Sequence, residues 1–380
     1  MDLKNKKIIQ VASYAAAYKG NFVRSLEYLE NCLSLENTKQ CYIFQQSTSS
    51  QPWYEEFSKS HTSYLVEDNG DYAVQSLLEI FSIEQPDLVH THHDGHDKAV
   101  AKACNLFEQK YGKHIIQVWH LRNVKGLSQH GFHKLWWNLK FFIHYGYYGK
   151  RVNMISVNEY MLNFARKFKR MNFWTSDSSQ MISLHNGIAL SRIDTNDIPS
   201  QPHSPFSFLA FGGRNVQKRI EVLLEAGSIL SAQHIPFQVL ITKGTETESV
   251  SNDYFGGNMP DWCKLINQND NVNILFAQAD CFISTAIHET FCNAICEATV
   301  YGLPVIQSDI DGTMWNAKNP SVSLYSTLDS QALAREMLKM MQRDRKQLIA
   351  DCLTTRSINS SKYSFDIWCS KVIDFYQKIK

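Results

Sequence analysis

Two glutamates, Glu289 and Glu297, stand with seven residues between them in the apolar, alanine-rich stretch AIHETFCNAICEATVYGLPVIQSDIDG, residues 286–312. Positions eight apart on one helix are rotated by roughly 80°, so the two acids would not quite share a face. They can serve one ligand if Glu289 lies in the loop after a strand CFIST, the helix begins near Phe291, and Glu297 reaches in from the second turn. Thr290, Phe291, Cys292 and Asn293 then present helix-start N–H groups between the carboxylates, a seat for phosphate. Two carboxylates flanking a phosphate seat suggest hydroxyls on both sides of it, and a sugar nucleotide has that layout: hexose, diphosphate, ribose.

A second group lies upstream in FLAFGGRNVQKRIEVLLEA, residues 208–226. It reads as a strand, a Gly212-Gly213 turn and a helix from about Gln217 to Leu230. The glycines let the backbone come close to a ligand, and Arg214 and Lys218 converge above the strand end. Cations in a helix's first turn oppose its dipole, which a bound anion would offset. The same residues also allow a tight turn followed by a solvated basic helix start. A third group, HTHHDGHD, contains His90, His92, His93, Asp94, His96 and Asp97. These are ligand types, but their spacing matches no compact zinc motif, so no metal site is expected.

These residues need elements to hold them. Short Val- and Ile-rich runs alternate with stretches of helical period, the signature of βα units and parallel sheets. Strands are expected at KIIQVASY, KQCYIFQ, DLVHTHH, HIIQVWH, VNMISVN and QMISLHNG, and after residue 205 at FSFLAFGG, FQVLITKG, ADCFIST, PVIQSD and SVSLYS. The helix NFVRSLEYLENCL places Phe22, Leu26, Leu29 and Leu33 on one face. SRIDTNDIPSQPHSP, from 191, reads as an interdomain linker. The expected α/β architecture is therefore two doubly wound, Rossmann-like domains, 1–195 and 196–360, facing a central cleft, with a last helix in 361–380. Ligands of such sheets bind beyond the carboxyl ends of the strands.

Bulk properties bound the class. The chain has 380 residues, 44% hydrophobic, and no apolar run long enough to span a bilayer. Its basic start leads into no secretory h-region, which predicts a cytoplasmic protein. The nine cysteines form no Cys-x-x-Cys pair, which suits reduced thiols. Net charge is only +1, yet residues 113–170 hold eleven Lys or Arg against one acid, Glu159. One end of the molecule should therefore meet something anionic. Within it, HKLWWNLKFFIHYGYYGKR interleaves aromatic and basic residues and allows two readings, a helix in the headgroup zone of an anionic membrane or a core helix with a basic rim. No nucleic-acid module is present, and no nucleic acid is expected.

GRNVQKRIEVLLEA and ADCFISTAIHETFCNAICEATVYGLPVIQSDIDG, with HNGI at 185–188, resemble the retaining glycosyltransferases of family 4, the group 1 glycosyl transferases of the GT-B superfamily. The resemblance is strongest over about residues 205–312. It implies that Arg214 and Lys218, beside Gly213, bind the donor diphosphate and stabilise the charge of its departure. It implies that Glu289 binds hydroxyls of the transferred sugar and Glu297 the ribose. Gly20 and Asn21 in YAAAYKGNFVRSL resemble the glycine loop near the donor phosphate, and His120 stands where the family has an active-site histidine. No metal or other cofactor is implied; the nucleotide sugar is a substrate. Two departures stand out: Glu-Gly-Phe-Gly reads Glu289-Thr290-Phe291-Cys292, and residues 240–285 show no sign of the family's extra strand.

The function expected is transfer, with retention, of a hexose or N-acetylhexosamine from a UDP sugar, or else a GDP sugar, to a surface-glycan precursor. The acceptor would be lipid-linked or a phosphate-rich polymer, reached at the inner face of the cell membrane. Alternatives are a nucleotide-sugar epimerase of the same fold and a catalytically silent partner that binds a glycan.

Overall fold

The computed structural model describes residues 1–123, 132–212 and 216–379. The chain divides into two units, Met1–Gly187 with Phe365–Lys380, and Ile188–Ser364. In the first unit, β1 (Lys7–Ala12), β2 (Lys39–Gln45), β3 (Ser63–Val66), β4 (Leu88–His92), β5 (Ile116–Leu121), β6 (Asn153–Ser156) and β7 (Met181–Ser183) form one sheet ordered β3-β2-β1-β4-β5-β6-β7. In the second, β8 (Phe206–Ala210), β9 (Phe237–Thr242), β10 (Cys263–Ile266), β11 (Cys281–Ser284), β12 (Val305–Ser308) and β13 (Val322–Tyr325) are ordered β10-β9-β8-β11-β12-β13. Every pairing is parallel. Each sheet is doubly wound, and its strand order reverses between β1 and β4 or between β8 and β11.

Burial explains the strand sequences. All five residues of β4 and of β8 are buried, as strands covered on both faces must be; β8 accordingly reads as an apolar and small-residue run, while β4 adds the buried His90 and His92 to Leu88, Val89 and Thr91. The helix Gly20–Ser34 buries Phe22, Leu26, Leu29 and Leu33, as its spacing predicts. β3 and β10 are absent from the sequence reading. Both are four-residue edge strands with mostly half-exposed side chains, too short and too mixed to announce themselves. β10 also corrects the expectation that residues 240–285 lack an extra strand.

The unit boundaries fall at Gly187/Ile188 and Ser364/Phe365, not at 195/196 and 360/361. Ile188 N donates to Tyr363 O at 2.7 Å. Ile188 and Ile193 share a buried cluster with Phe291, Val300 and Tyr363, which draws the start of the linker into the second unit. The last helix, Phe365–Lys378, returns to the first unit, where Trp368, Val372, Phe375 and Tyr376 join a core with Ile8, Leu29, Leu33 and Leu88.

The aromatic, basic segment is a helix, Phe132–Phe141, continuing into π-helical turns at Phe142–Tyr148. It is two-faced. Phe141 and Tyr145 are buried with Trp119 and Phe168. Leu135, Trp136 and Leu139 are 71%, 50% and 55% exposed, with the Lys140 ammonium 3.5 Å from the Trp136 ring centre. All nine cysteines are unbonded. No described helix is long and apolar enough to cross a membrane.

Candidate active site

In the second unit the loops after β8 and β11 meet at the point where the strand order reverses. β8 runs into Phe211 and Gly212. A side chain at Gly212 would put its Cβ 2.1 Å from Thr247 Oγ1 and 2.5 Å from Thr242 O, so only glycine fits the turn. Gly213 and Arg214 lie outside the described residues. The chain then makes a 3-10 turn, Val216–Lys218, passes through Arg219 at φ 47°, and enters the helix Ile220–Ser231. The expected helix start at Gln217 is thereby corrected: Lys218 precedes the helix, and its first turn carries Glu221, which suits the dipole and pairs with Arg219 at 2.8 Å.

That detour aims Lys218 across the sheet end. Its Nζ donates to Glu289 Oε1 at 2.6 Å, and its carbonyl accepts from Thr285 Oγ1 at 2.6 Å. Ile287 N donates to Gln217 O at 2.9 Å, so backbone as well as side chains lock the loop after β11 to this turn. Burial opposes the ammonium charge, but the Glu289 carboxylate outweighs it and holds the Lys218 pKa above the ordinary lysine value. Glu289 is itself fixed by a close approach, since a Cβ on Gly312 would lie 1.9 Å from Glu289 O.

The helix bearing Glu297 is Asn293–Tyr301, two residues later than the sequence suggests, because Cys292 adopts a left-handed φ of 60°. Phe291 turns inward. Its ring is fully buried, 4.6 Å from Trp315 and 5.2 Å from Tyr363, and its carbonyl accepts from Trp315 Nε1 at 2.7 Å. Burial, then the Glu289 charge, pushes the Cys292 thiol up to about 12, so it is neutral and unreactive. Glu297 is buried on the second turn of its helix. Thr290, Phe291, Asn293 and Glu297 all have interaction partners within the protein.

In the first unit, register aligns the strand ends, pairing Ala12 with His92 and His92 with His120. Gly20, at φ 54°, opens the helix after β1, with Asn21 next to it and buried. Tyr14 Oη spans this loop, donating to Tyr18 O at 2.9 Å. His120 is buried, its ring centre 5.3 Å from His90 and 5.4 Å from His92, and neither of its nitrogens has a hydrogen-bond partner among the described residues. Burial, then the Arg122 charge, holds its pKa well below the usual histidine value. The sequence reading counted Arg122 only among the basic residues. It is half-buried, with its guanidinium Nε and Nη2 shielded from solvent; the guanidinium lies 5.1 and 5.8 Å from the Phe22 and Trp368 ring centres, and Nη1 donates to Asn186 Oδ1 at 2.7 Å. Burial lowers its pKa to about 9. A half-buried charge at a strand end is a signal that only burial reveals.

The residues of HTHHDGHD disperse. His96 Nδ1 lies 2.7 Å from Ser13 Oγ, Asp94 accepts from Asn123, and Asp97 takes Thr91 and His144. His90 and His92 instead join His120, with one ring nitrogen of each within 4.8 Å of the others. Zinc–nitrogen bonds of about 2.0–2.1 Å bring tetrahedral ligands much closer together. A guanidinium acting on the same rings also opposes a cation. The trio fits a metal poorly as it stands.

Residues 206–343 match the family model described as Glycosyl transferases group 1. No curated protein sequence matches the chain. Among solved structures, a glycosyltransferase from Rickettsia africae is similar with a TM-score of 0.74 at 15% identity, covering 98% of each chain. Sucrose-phosphate synthase from Thermosynechococcus elongatus gives 0.74 at 14%, again over 98% of each chain. Anabaena HepE, in complex with UDP and glucose, gives 0.74 at 13%, covering 98% of this chain and all of that one. The whole chain thus has the GT-B fold of two parallel-sheet domains, and the Lys218–Glu289 site lies within the segment that matches the group 1 glycosyl transferase model.

Proposed function

We propose that this protein is a retaining, metal-independent glycosyltransferase that moves a hexose or N-acetylhexosamine from a nucleotide sugar to a surface-glycan precursor. The observation that carries the reading is the Lys218–Glu289 pair at the ends of β8 and β11, inside the segment matched to the group 1 glycosyl transferases. A diphosphate takes the lysine and a sugar hydroxyl takes the carboxylate, so one ligand with both groups satisfies the two halves of the pair. Lys218, with Arg214 four residues before it in the sequence, stabilises the charge that grows on the leaving diphosphate. Glu297 takes the ribose, and the backbone around Thr290–Asn293 and Gly20-Asn21 lies along the phosphates. His120, held neutral, serves the transferred sugar by hydrogen bonding and not by charge. HepE, described with UDP and with UDP-glucose, supports a UDP sugar as first choice of donor, ahead of a GDP sugar.

The exposed Leu135, Trp136 and Leu139, beside Lys134 and Lys140, support a peripheral seat on an anionic membrane at the cytoplasmic face, where a lipid-linked or phosphate-rich acceptor would be met. The test of the transfer reading is nucleotide release from UDP, GDP, ADP and dTDP sugars, with and without EDTA and with glycan acceptors, in wild type and Lys218→Ala. Release of one nucleotide, unaffected by EDTA and lost in the variant, is expected. Release that survives in Lys218→Ala, or no release and no nucleotide-sugar binding, would refute it.

A further inference from the structure

The loop that carries Glu289 holds a conformation that its own residues do not favour. Cys292, at φ 60°, lies in the left-handed region, which is costly for a residue with a Cβ and free for glycine. The same turn feeds the candidate site. Cys292 lines a small cavity with Lys218, Thr285 and Ala294, and the helix bearing Glu297 starts at the next residue.

A neighbouring segment grips this loop at two points. After β12 the chain passes Gly312, where a Cβ would collide with Glu289 O, and makes a 3-10 turn, Met314–Asn316. From that turn Trp315 Nε1 donates to Phe291 O at 2.7 Å, and its ring lies 4.6 Å from the Phe291 ring at 22°. The Phe291 carbonyl belongs to the peptide that joins Phe291 to Cys292, so this bond acts on the rotation that makes Cys292 left-handed. The turn is itself anchored. Gln307 Nε2 donates to Thr313 O at 2.8 Å, Asn316 Nδ2 to Gln307 Oε1 at 3.2 Å, and Asn359 Nδ2 to Asn316 Oδ1 and Thr299 Oγ1 at 3.1 and 2.8 Å. All of these residues are 1% exposed or less, and Thr299 stands on the helix of Glu297, so the network closes on the site's own helix. Buried polar networks whose members are paired in this way are rigid.

We propose that Trp315 is a positioning residue for the donor site: its indole N–H, fixed on this scaffold, holds the Phe291–Cys292 peptide in the orientation that the nucleotide diphosphate meets. The identity of the ligand rests on the transfer reading; the brace itself does not. Without the N–H, the carbonyl loses its partner and the left-handed turn its support, so only a fraction of the molecules keeps the binding-ready loop. Donor binding must then restore the loop, which weakens apparent affinity by that fraction while the saturated enzyme still turns over. Cys292→Gly adopts the same turn unaided and makes the brace dispensable.

Trp315→Phe keeps the ring and deletes the N–H. Steady-state kinetics with the nucleotide sugar that wild type hydrolyses or transfers, and amide hydrogen exchange across residues 288–296, test the brace. The donor KM is expected to rise about tenfold with kcat within about threefold of wild type, and exchange in the loop to quicken while exchange in β8 and β9 stays the same. In a Cys292→Gly background the same substitution should raise KM less than about threefold, because the two residues act on one turn. An unchanged KM, a loss confined to kcat, unchanged loop exchange, or the full tenfold cost in the Cys292→Gly background would overturn the brace. Exchange that quickens throughout the second unit would also overturn it, assigning Trp315 to the domain and not to the loop. If wild type releases no nucleotide, the transfer reading fails, and the exchange comparison alone decides the brace.

Discussion

Lys218 Nζ lies 2.6 Å from Glu289 Oε1, joining the turn after β8 to the loop after β11. A donor that needs both groups must open this pair. Glu289→Gln removes the lysine's competitor, so UDP alone should bind more tightly, by about 1.4-fold to fivefold, the ~0.2–1 kcal/mol of a partly exposed pair. Transfer should fall in the same variant, because the sugar loses its acceptor. Calorimetry with UDP beside a transfer assay separates the two effects, and weaker UDP binding in Glu289→Gln would contradict the arrangement.

Lys218→Ala should lose transfer by on the order of 10²–10³, the usual effect of deleting one group that stabilises developing charge. Its melting temperature should change little, since the lysine is partly exposed and its backbone bonds remain. A steady-state assay paired with thermal unfolding checks this, and equal losses of activity and stability would assign the lysine a structural role.

Gly312→Ala should damage the site from behind. Its Cβ would lie 1.9 Å from Glu289 O and must displace the loop. Overpacking of this kind costs about 1–3 kcal/mol. The expected outcome is a lower melting temperature with weakened donor binding, and an unchanged KM for the donor would show that the loop absorbs the methyl without moving Glu289.

The first unit should weaken in acid. His90, His92 and His120 are held well below the usual histidine value, and His93 at about 3, by burial first and by neighbouring positive charge second. The unfolded chain takes up these protons below about 6.5 while the folded chain refuses them, so stability falls as pH drops through that value, by up to ~1.4 kcal/mol per unit for each ring. His120→Asn should flatten the dependence. Melting temperatures recorded from pH about 7.5 down to about 5 test it, and a flat wild-type profile would mean that the rings are not sealed from protons.

Co-sedimentation with vesicles of anionic phospholipid should fall as salt rises and fall again in a Trp136→Ser, Leu139→Ser variant, whose side chains face solvent. Binding that ignores salt, or that survives the double substitution, would return this face to an ordinary surface.

The sequence by itself determined the βα alternation, the central strands and the spacing that carries Lys218, Glu289 and Glu297, because buried parallel strands and helix faces write themselves as apolar periods. It did not determine β3 and β10, whose edge positions leave no such period. Nor did it place Lys218 ahead of its helix: Arg219 and Cys292 take left-handed backbone conformations that no propensity asks of an arginine or a cysteine. Tertiary contacts decided those turns. They also decided that Phe291 is core, that the histidines of one motif part company, and that His90 and His92 meet His120 from a neighbouring strand. Which side chains share a site depends on register between strands far apart in the chain, and register is a property of the folded sheet.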